Sequence, residues 1–176
     1  MMDNILIREM QTDDIGEVAR FHHAAWMDAY RGLLPEEGLQ QLTQQHFLHT
    51  WEKIIDDEHR NNLVAIKAKK PIGYASYRQW KKPGRWELLG LYVAPAWMHK
   101  GCGTSLFNAV EKDIQQKNAK LLFVWVIKGN QRALQFYQKN GMTRRKRTRR
   151  IKKEAMAFQE VQLVKRFRYN QNKPNQ

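Results

Sequence analysis

Two stretches of the chain carry side chains whose types and spacing suit chemistry. The first is VAPAWMHKGCGTSL, Val93 to Leu106. Pro95 stops an extended segment, and Gly101 and Gly103 open a helical one. A helix N-terminus offers free N–H groups and a partial positive charge, and glycine lets backbone approach a phosphate closely. His99, Lys100 and the hydroxyl of Thr104 add donors. The spacing is not that of the G-x-x-x-x-G-K-[ST] loop. It is not the G-x-G-x-x-G dinucleotide turn either, because Leu106 holds the third glycine position. A pyrophosphate cradle and a plain strand-to-helix turn both fit these residues. Cys102 sits where a helix N-terminus favours a thiolate, but no Cys/His/Asn arrangement accompanies it. The six histidines show neither H-x-x-x-H nor H-E-x-x-H spacing. His46 and His49 share a helix face as two ligands at most, His22 falls on an apolar stripe, and no metal is expected. The second stretch is NQRALQFYQKNGM, Asn130 to Met142. Asn130 reads as a helix cap and Gly141 as a helix stop, and spacing alone makes Tyr137 an aromatic core residue.

The elements that position these residues follow from periodicity. At 176 residues with 42% apolar content, the chain is long and apolar enough to bury a full core. One domain over residues 1–169 is expected, with 170–176, NQNKPNQ, as a flexible tail. No apolar run approaches the ~20 residues of a membrane helix, and MMDNILIREM lacks the pattern of a signal peptide. The single cysteine rules out an internal disulfide and suits a reducing cytoplasm. Ile5–Ile7 reads as a strand, followed by a helix from Ile15 to about Gly32, another from Pro35 and a third over 45–55. Leu63–Ile66, Ile72–Trp80 and Glu87–Val93 read as an antiparallel meander. A helix over Thr104–Lys117, the buried strand Leu121–Ile127, a helix after Asn130, and strands near Thr148–Ile151 and Ala157–Val164 complete the pattern. The predicted fold is α/β: a mixed sheet, mostly antiparallel with one parallel crossover, flanked by helices.

The order of these motifs resembles the GNAT superfamily of acyl-CoA-dependent N-acyltransferases. The cofactor motif of that family, V-x-P-x-x-[Q/R]-x-x-G-x-[G/A], falls on Val93–Gly103, and its N-x-x-A-x-x-F-Y-x-x-x-G-[F/M] motif on Asn130–Met142. The resemblance is specific over Glu87–Met142 and looser over AWMDAYRGLLPEE in the N-terminal third. Met98 departs from the family's Gln or Arg and has no hydrogen to donate to a phosphate, while His99 replaces a frequent glycine. The resemblance implies acetyl-CoA as cosubstrate, cradled by His99, Lys100, Gly101, Cys102, Gly103 and Thr104, with Asn130 and Tyr137 alongside. Backbone groups of Leu91 and Val93 are expected to hold the pantetheine arm and polarise the thioester. Tyr137 takes the position of the acid that protonates the departing sulfur. Glu87 takes that of a base for the amine; a surface pairing with Lys or Arg is its ordinary alternative. Trp26, Tyr30 and Arg31 are expected to wall the acceptor site, an arrangement suited to a flat or anionic acceptor, and core packing explains Trp26 as well.

Charge is the remaining feature. Thirty-one Lys and Arg against 17 Asp and Glu give a net charge of +14, which favours anionic partners. Arg144–Lys153, RRKRTRRIKK, holds eight basic residues in ten and reads as a solvated edge strand or as an anion-binding patch. Two functions therefore stand. One is an acetyltransferase that moves acetyl from acetyl-CoA to a small-molecule or peptide primary amine in a ternary complex, acting as a monomer or homodimer. The other is a non-catalytic adaptor of the same fold that binds RNA or ribosomes through the basic run.

Overall fold

The computed structural model describes residues 5–153 and 156–168. Apolar alternation builds a sheet whose strands lie in the order β1-β2-β3-β4-β5-β7-β6. β1 (Leu6–Glu9), β2 (Asn61–Lys67), β3 (Lys70–Gln79) and β4 (Arg85–Val93) pair antiparallel in sequence. The β2–β3 turn places Ala68 and Lys69 at positive φ, the geometry that matches the twist of a two-residue hairpin. The chain then crosses over through α4 (Cys102–Gln116) to β5 (Leu121–Ile127), which pairs parallel with β4. β6 (Thr143–Lys153) and β7 (Met156–Arg166) form a hairpin whose β7 arm joins β5, so β6 is a sheet edge. The sheet is mixed, with the one parallel pair that the sequence predicts.

Each face buries its own core. Beneath α4 and α5 (Gln131–Lys139), Leu106, Phe107, Val110 and Ile114 pack on Ala75, Leu88, Leu122, Val124 and Leu163. On the other face lie α1 (Ile15–Tyr30), α2 (Glu36–Gln40) and α3 (Gln44–Ile54), where Val18, Phe21, Leu39, Phe47 and Trp51 cover Val64, Ile66 and Tyr74. Deleting a fully buried member such as Leu106 would cost about 2–5 kcal/mol.

The predicted elements are present, several of them longer than expected. β6 extends from Thr143 rather than Thr148, because the β7 ladder supplies its hydrogen bonds whatever its charge. The residues expected to form a tail, 170–176, lie outside the described residues.

Candidate active site

The site begins where two strands part. β4 and β5 pair from Arg85↔Leu121 to Leu88↔Val124, and there the pairing ends, although β4 runs on to Val93 and β5 to Ile127. A bulge coincides with the parting: Tyr77 faces Leu88 and Ser76 faces Gly90, leaving Leu89 as the extra residue. The result is a cleft of about 580 Å³ floored by 89–93 and 124–126. It opens at the C-terminal ends of parallel strands, the usual place for a ligand in such sheets.

The start of α4 forms one wall. Gly101 is the helix N-cap with φ +83°, and a Cβ there would meet nothing within 4 Å. Its requirement is therefore conformational, and it faces open space. Gly103 is small for another reason: a Cβ would lie 3.2 Å from the Phe136 ring of α5. Met98, His99, Gly101, Gly103 and Thr104 line the cleft. Lys100 does not: its ammonium donates to the Ala96 carbonyl (3.0 Å) and sits 5.1 Å from the Trp97 ring centroid. Cys102 does not either, for its side chain is buried in the core and burial pushes its thiol up to about 11. The helix terminus does not overcome that desolvation, and the thiolate that the position suggested does not form at neutral pH.

The α5 wall carries Asn130, Ala133, Phe136 and Tyr137. Asn130 caps the helix, its Oδ1 accepting from the Ala133 N–H at 3.0 Å. Tyr137 is buried beside Phe107 and Phe136, and burial raises its phenol above the ordinary tyrosine value. Leu91 and Val93 line the floor.

Of the three residues expected to wall an acceptor, Tyr30 reaches the cleft, and its hydroxyl lies 3.0 Å from that of Tyr92. Trp26 stands behind Tyr30, with ring centroids 4.4 Å apart, and does not line the cleft; this is the packing role that its position on α1 allows. Arg31 is exposed past the end of α1, outside the lining. Glu87 is also outside it. Its carboxylate is 4% exposed at residue level and accepts from Nε (3.0 Å) and Nη2 (2.9 Å) of Arg78 on β3. The pairing with a base, its ordinary alternative, is what the structure holds.

Sequence reasoning passed over Tyr92, Gly90 and Trp125, all of which line the cleft. It also passed over the network around His22. The Trp51 indole N–H can only donate, so Nδ1 of His22 accepts it (3.2 Å) and the neutral ring carries its proton on Nε2, 2.9 Å from the Tyr74 hydroxyl. Enclosure by Phe47, Trp51, Tyr74 and Tyr92 pushes the imidazole down to about 3, chiefly by desolvation.

The chain and its fold have counterparts. Residues 21–142 match the model of the Acetyltransferase (GNAT) family. An uncharacterized N-acetyltransferase, YuaI, of Bacillus subtilis is 26% identical over 138 residues, covering 76% of this chain and 78% of that protein. A spermidine N(1)-acetyltransferase of Thermoplasma acidophilum is 25% identical over 145 residues, covering 78% and 88%. The crystal structure of PaiA N-acetyltransferase from Thermoplasma acidophilum, solved with coenzyme A, superposes with a TM-score of 0.75 at 21% identity, over 93% of this chain and 99% of that one.

Proposed function

The chain belongs to the GNAT acetyltransferase family, and from that premise we propose that it transfers an acetyl group from acetyl-CoA to a primary amine by direct attack in a ternary complex. The observation that carries this reading is the parted β4–β5 seam with a helix N-terminus on one side and the Tyr137 phenol on the other. Beyond Leu88 the β5-facing edge of β4 has no strand ladder, so its amides and carbonyls are free to pair with the extended arm of the cosubstrate. The pyrophosphate is held at the start of α4, mostly by backbone, since Met98 offers no side-chain donor.

In the reaction, the neutral amine attacks the thioester carbonyl carbon, a C–N bond forms, and negative charge gathers on the carbonyl oxygen. Backbone N–H groups of the β4 edge near Leu91 and Val93 stabilise that oxygen. The C–S bond then breaks, Tyr137 gives its phenolic proton to the sulfur, and the phenolate is reprotonated from solvent. The proton shed by the amine leaves through water, and any route from it to Glu87 runs through water too, because that carboxylate is held on Arg78.

Steady-state kinetics with acetyl-CoA and a panel of primary amines tests this, reading thiol release and acetylated product together. Amine-dependent thiol release with intersecting initial-velocity lines is expected. Parallel lines would signal an acyl-enzyme, and thiol release that no amine accelerates would remove the acetyltransferase reading.

A further inference from the structure

The face of the sheet opposite α4 carries an arrangement that acetyl transfer itself does not use. Trp125 is the one half-buried residue of β5 and lines the cleft one position past the last β4–β5 pair. Val124 and Val126 point into the core beneath α4, so alternation turns Trp125 to the other face, level with Gln162 of β7. Two guanidinium groups of β6 lie over its ring. Arg149 is 4.4 Å and Arg147 5.9 Å from the centroid. A bulge sets them there: three residues, 145–147, stand opposite Gln162 alone between the Arg144↔Leu163 and Thr148↔Val161 pairs.

The two arginines are not equivalent. Arg149 is ion-paired with Glu160, its cross-strand partner. Among the described residues Arg147 has no ion pair, and it is exposed beside further uncompensated cations at Arg144, Arg145 and Lys146. Neither arginine is itself among the residues that line the cleft; they stand over Trp125, which is, and of these two like charges that repel each other only one is neutralised from within. A guanidinium is a planar fork that can take a carboxylate or phosphate through two parallel hydrogen bonds, and the one of Arg147 stands 5.9 Å from the Trp125 centroid with no carboxylate of its own among the described residues.

We infer that the acceptor of this chain is an amine that carries an anionic group, a carboxylate or a phosphate, and that Arg147 on its Trp125 platform selects it. This rests on the acetyltransferase reading above. The anionic acceptor expected from Arg31 is thus assigned to a different arginine, on a different element. A polycationic amine would be repelled by the same basic strand, which carries charge of its own sign.

Matched pairs of amines test the inference: O-phosphoethanolamine against ethanolamine, an acidic dipeptide against its diamide, and spermidine as the cationic arm. The anionic member of each pair is expected to have the higher kcat/KM, by roughly 10- to 100-fold, the worth of one charge-assisted hydrogen-bond pair. Arg147→Gln should bring that ratio close to one, Arg147→Lys should restore part of it, and the KM for acetyl-CoA should not move. Preference for spermidine or for the neutral members would overturn the inference, as would equal loss on every amine. A raised acetyl-CoA KM in Arg147→Gln would do so too, by giving Arg147 to the cosubstrate. If no amine is acetylated, calorimetry with O-phosphoethanolamine in the presence of CoA separates the two readings. Binding that Arg147→Gln abolishes keeps the anion site and discards the reaction; no binding to the folded wild-type chain discards the site.

Discussion

Tyr137 shows how much a single side chain is asked to do in this cleft. Its ring packs on Phe107 and Phe136, and its hydroxyl is the proposed proton source. Tyr137→Phe keeps the packing and removes the proton. Turnover is expected to fall about 10²–10⁴-fold, the range for general acids, with little change in the acetyl-CoA KM. Because burial raises the phenol above its usual pKa of about 10, the acid form persists through that pH, and the wild-type rate is not expected to decline there on account of Tyr137. His22 carries the opposite signature. Its folded pKa of about 3 lies below the ~6.5 of an unfolded chain, so between those values the unfolded state binds more protons. Stability should therefore be complete above about pH 6.5 and fall on acidification toward 3, by at most about 1.4 kcal/mol per pH unit. Urea melts at stepped pH would measure the slope, and His22→Gln, which can keep bonds to Trp51 and Tyr74, should flatten it.

At the scale of elements, the α4 N-terminus is the part whose geometry most constrains residue choice. Gly101→Glu puts a side chain into open space at a left-handed position, so its folding cost should stay near the ~1–2 kcal/mol of that conformation. The carboxylate would stand against any phosphate at the helix start, and calorimetry should show acetyl-CoA binding abolished while a thermal melt remains cooperative. Equal affinity in wild type and variant would remove the cradle. The existence of α4 was legible in the helical stripe Leu106, Phe107, Val110, Ile114, that of β5 in the continuous apolar run LLFVWVI, and that of α5 in the Asn130 cap and the Gly141 stop. The partners of particular charges were not. Arg78 meets Glu87 only through a β3–β4 register that a bulge shifts, and Lys100 folds onto Trp97 through a turn with His99 at φ +60°. Trp125 was hidden differently: in a run that is apolar throughout, the one residue left half-buried carries no contrast with its neighbours. In β6, uniform charge masked the strand's length just as uniform apolarity masked the aim of Trp125.

For the molecule as a whole, the net charge of +14 is concentrated along one exposed edge, β6. An edge strand that presents unpaired backbone invites a second chain, and rows of Arg and Lys discourage it. Replacing Arg144, Arg145, Arg150 and Lys152 by Gln, and leaving the Trp125 pair intact, should lower solubility in a precipitation titration and leave turnover on a small amine unchanged. If the edge instead binds single-stranded nucleic acid by neutralising phosphates, wild-type affinity will fall with salt at a log–log slope of about −0.7 per contact, and the variant's slope will flatten. A flat wild-type slope would leave the edge a protective one.

The parted seam has a mechanical consequence. The meander and the β5–β7–β6 half share one sheet, and among the described residues the ladder that joins them has four pairs, Arg85↔Leu121 to Leu88↔Val124, with the Lys120 and Leu121 amides on the Gly84 carbonyl at its closed end, like a book bound along half its spine. A molecule laid into the open half hydrogen-bonds to both pages and finishes the binding. Acetyl-CoA should thus act as a fastener, adding about 2.7 kcal/mol of stability at a hundredfold excess over its Kd. The slowing of amide exchange it brings should be greatest at residues 89–93 and 124–127, where the spine is missing.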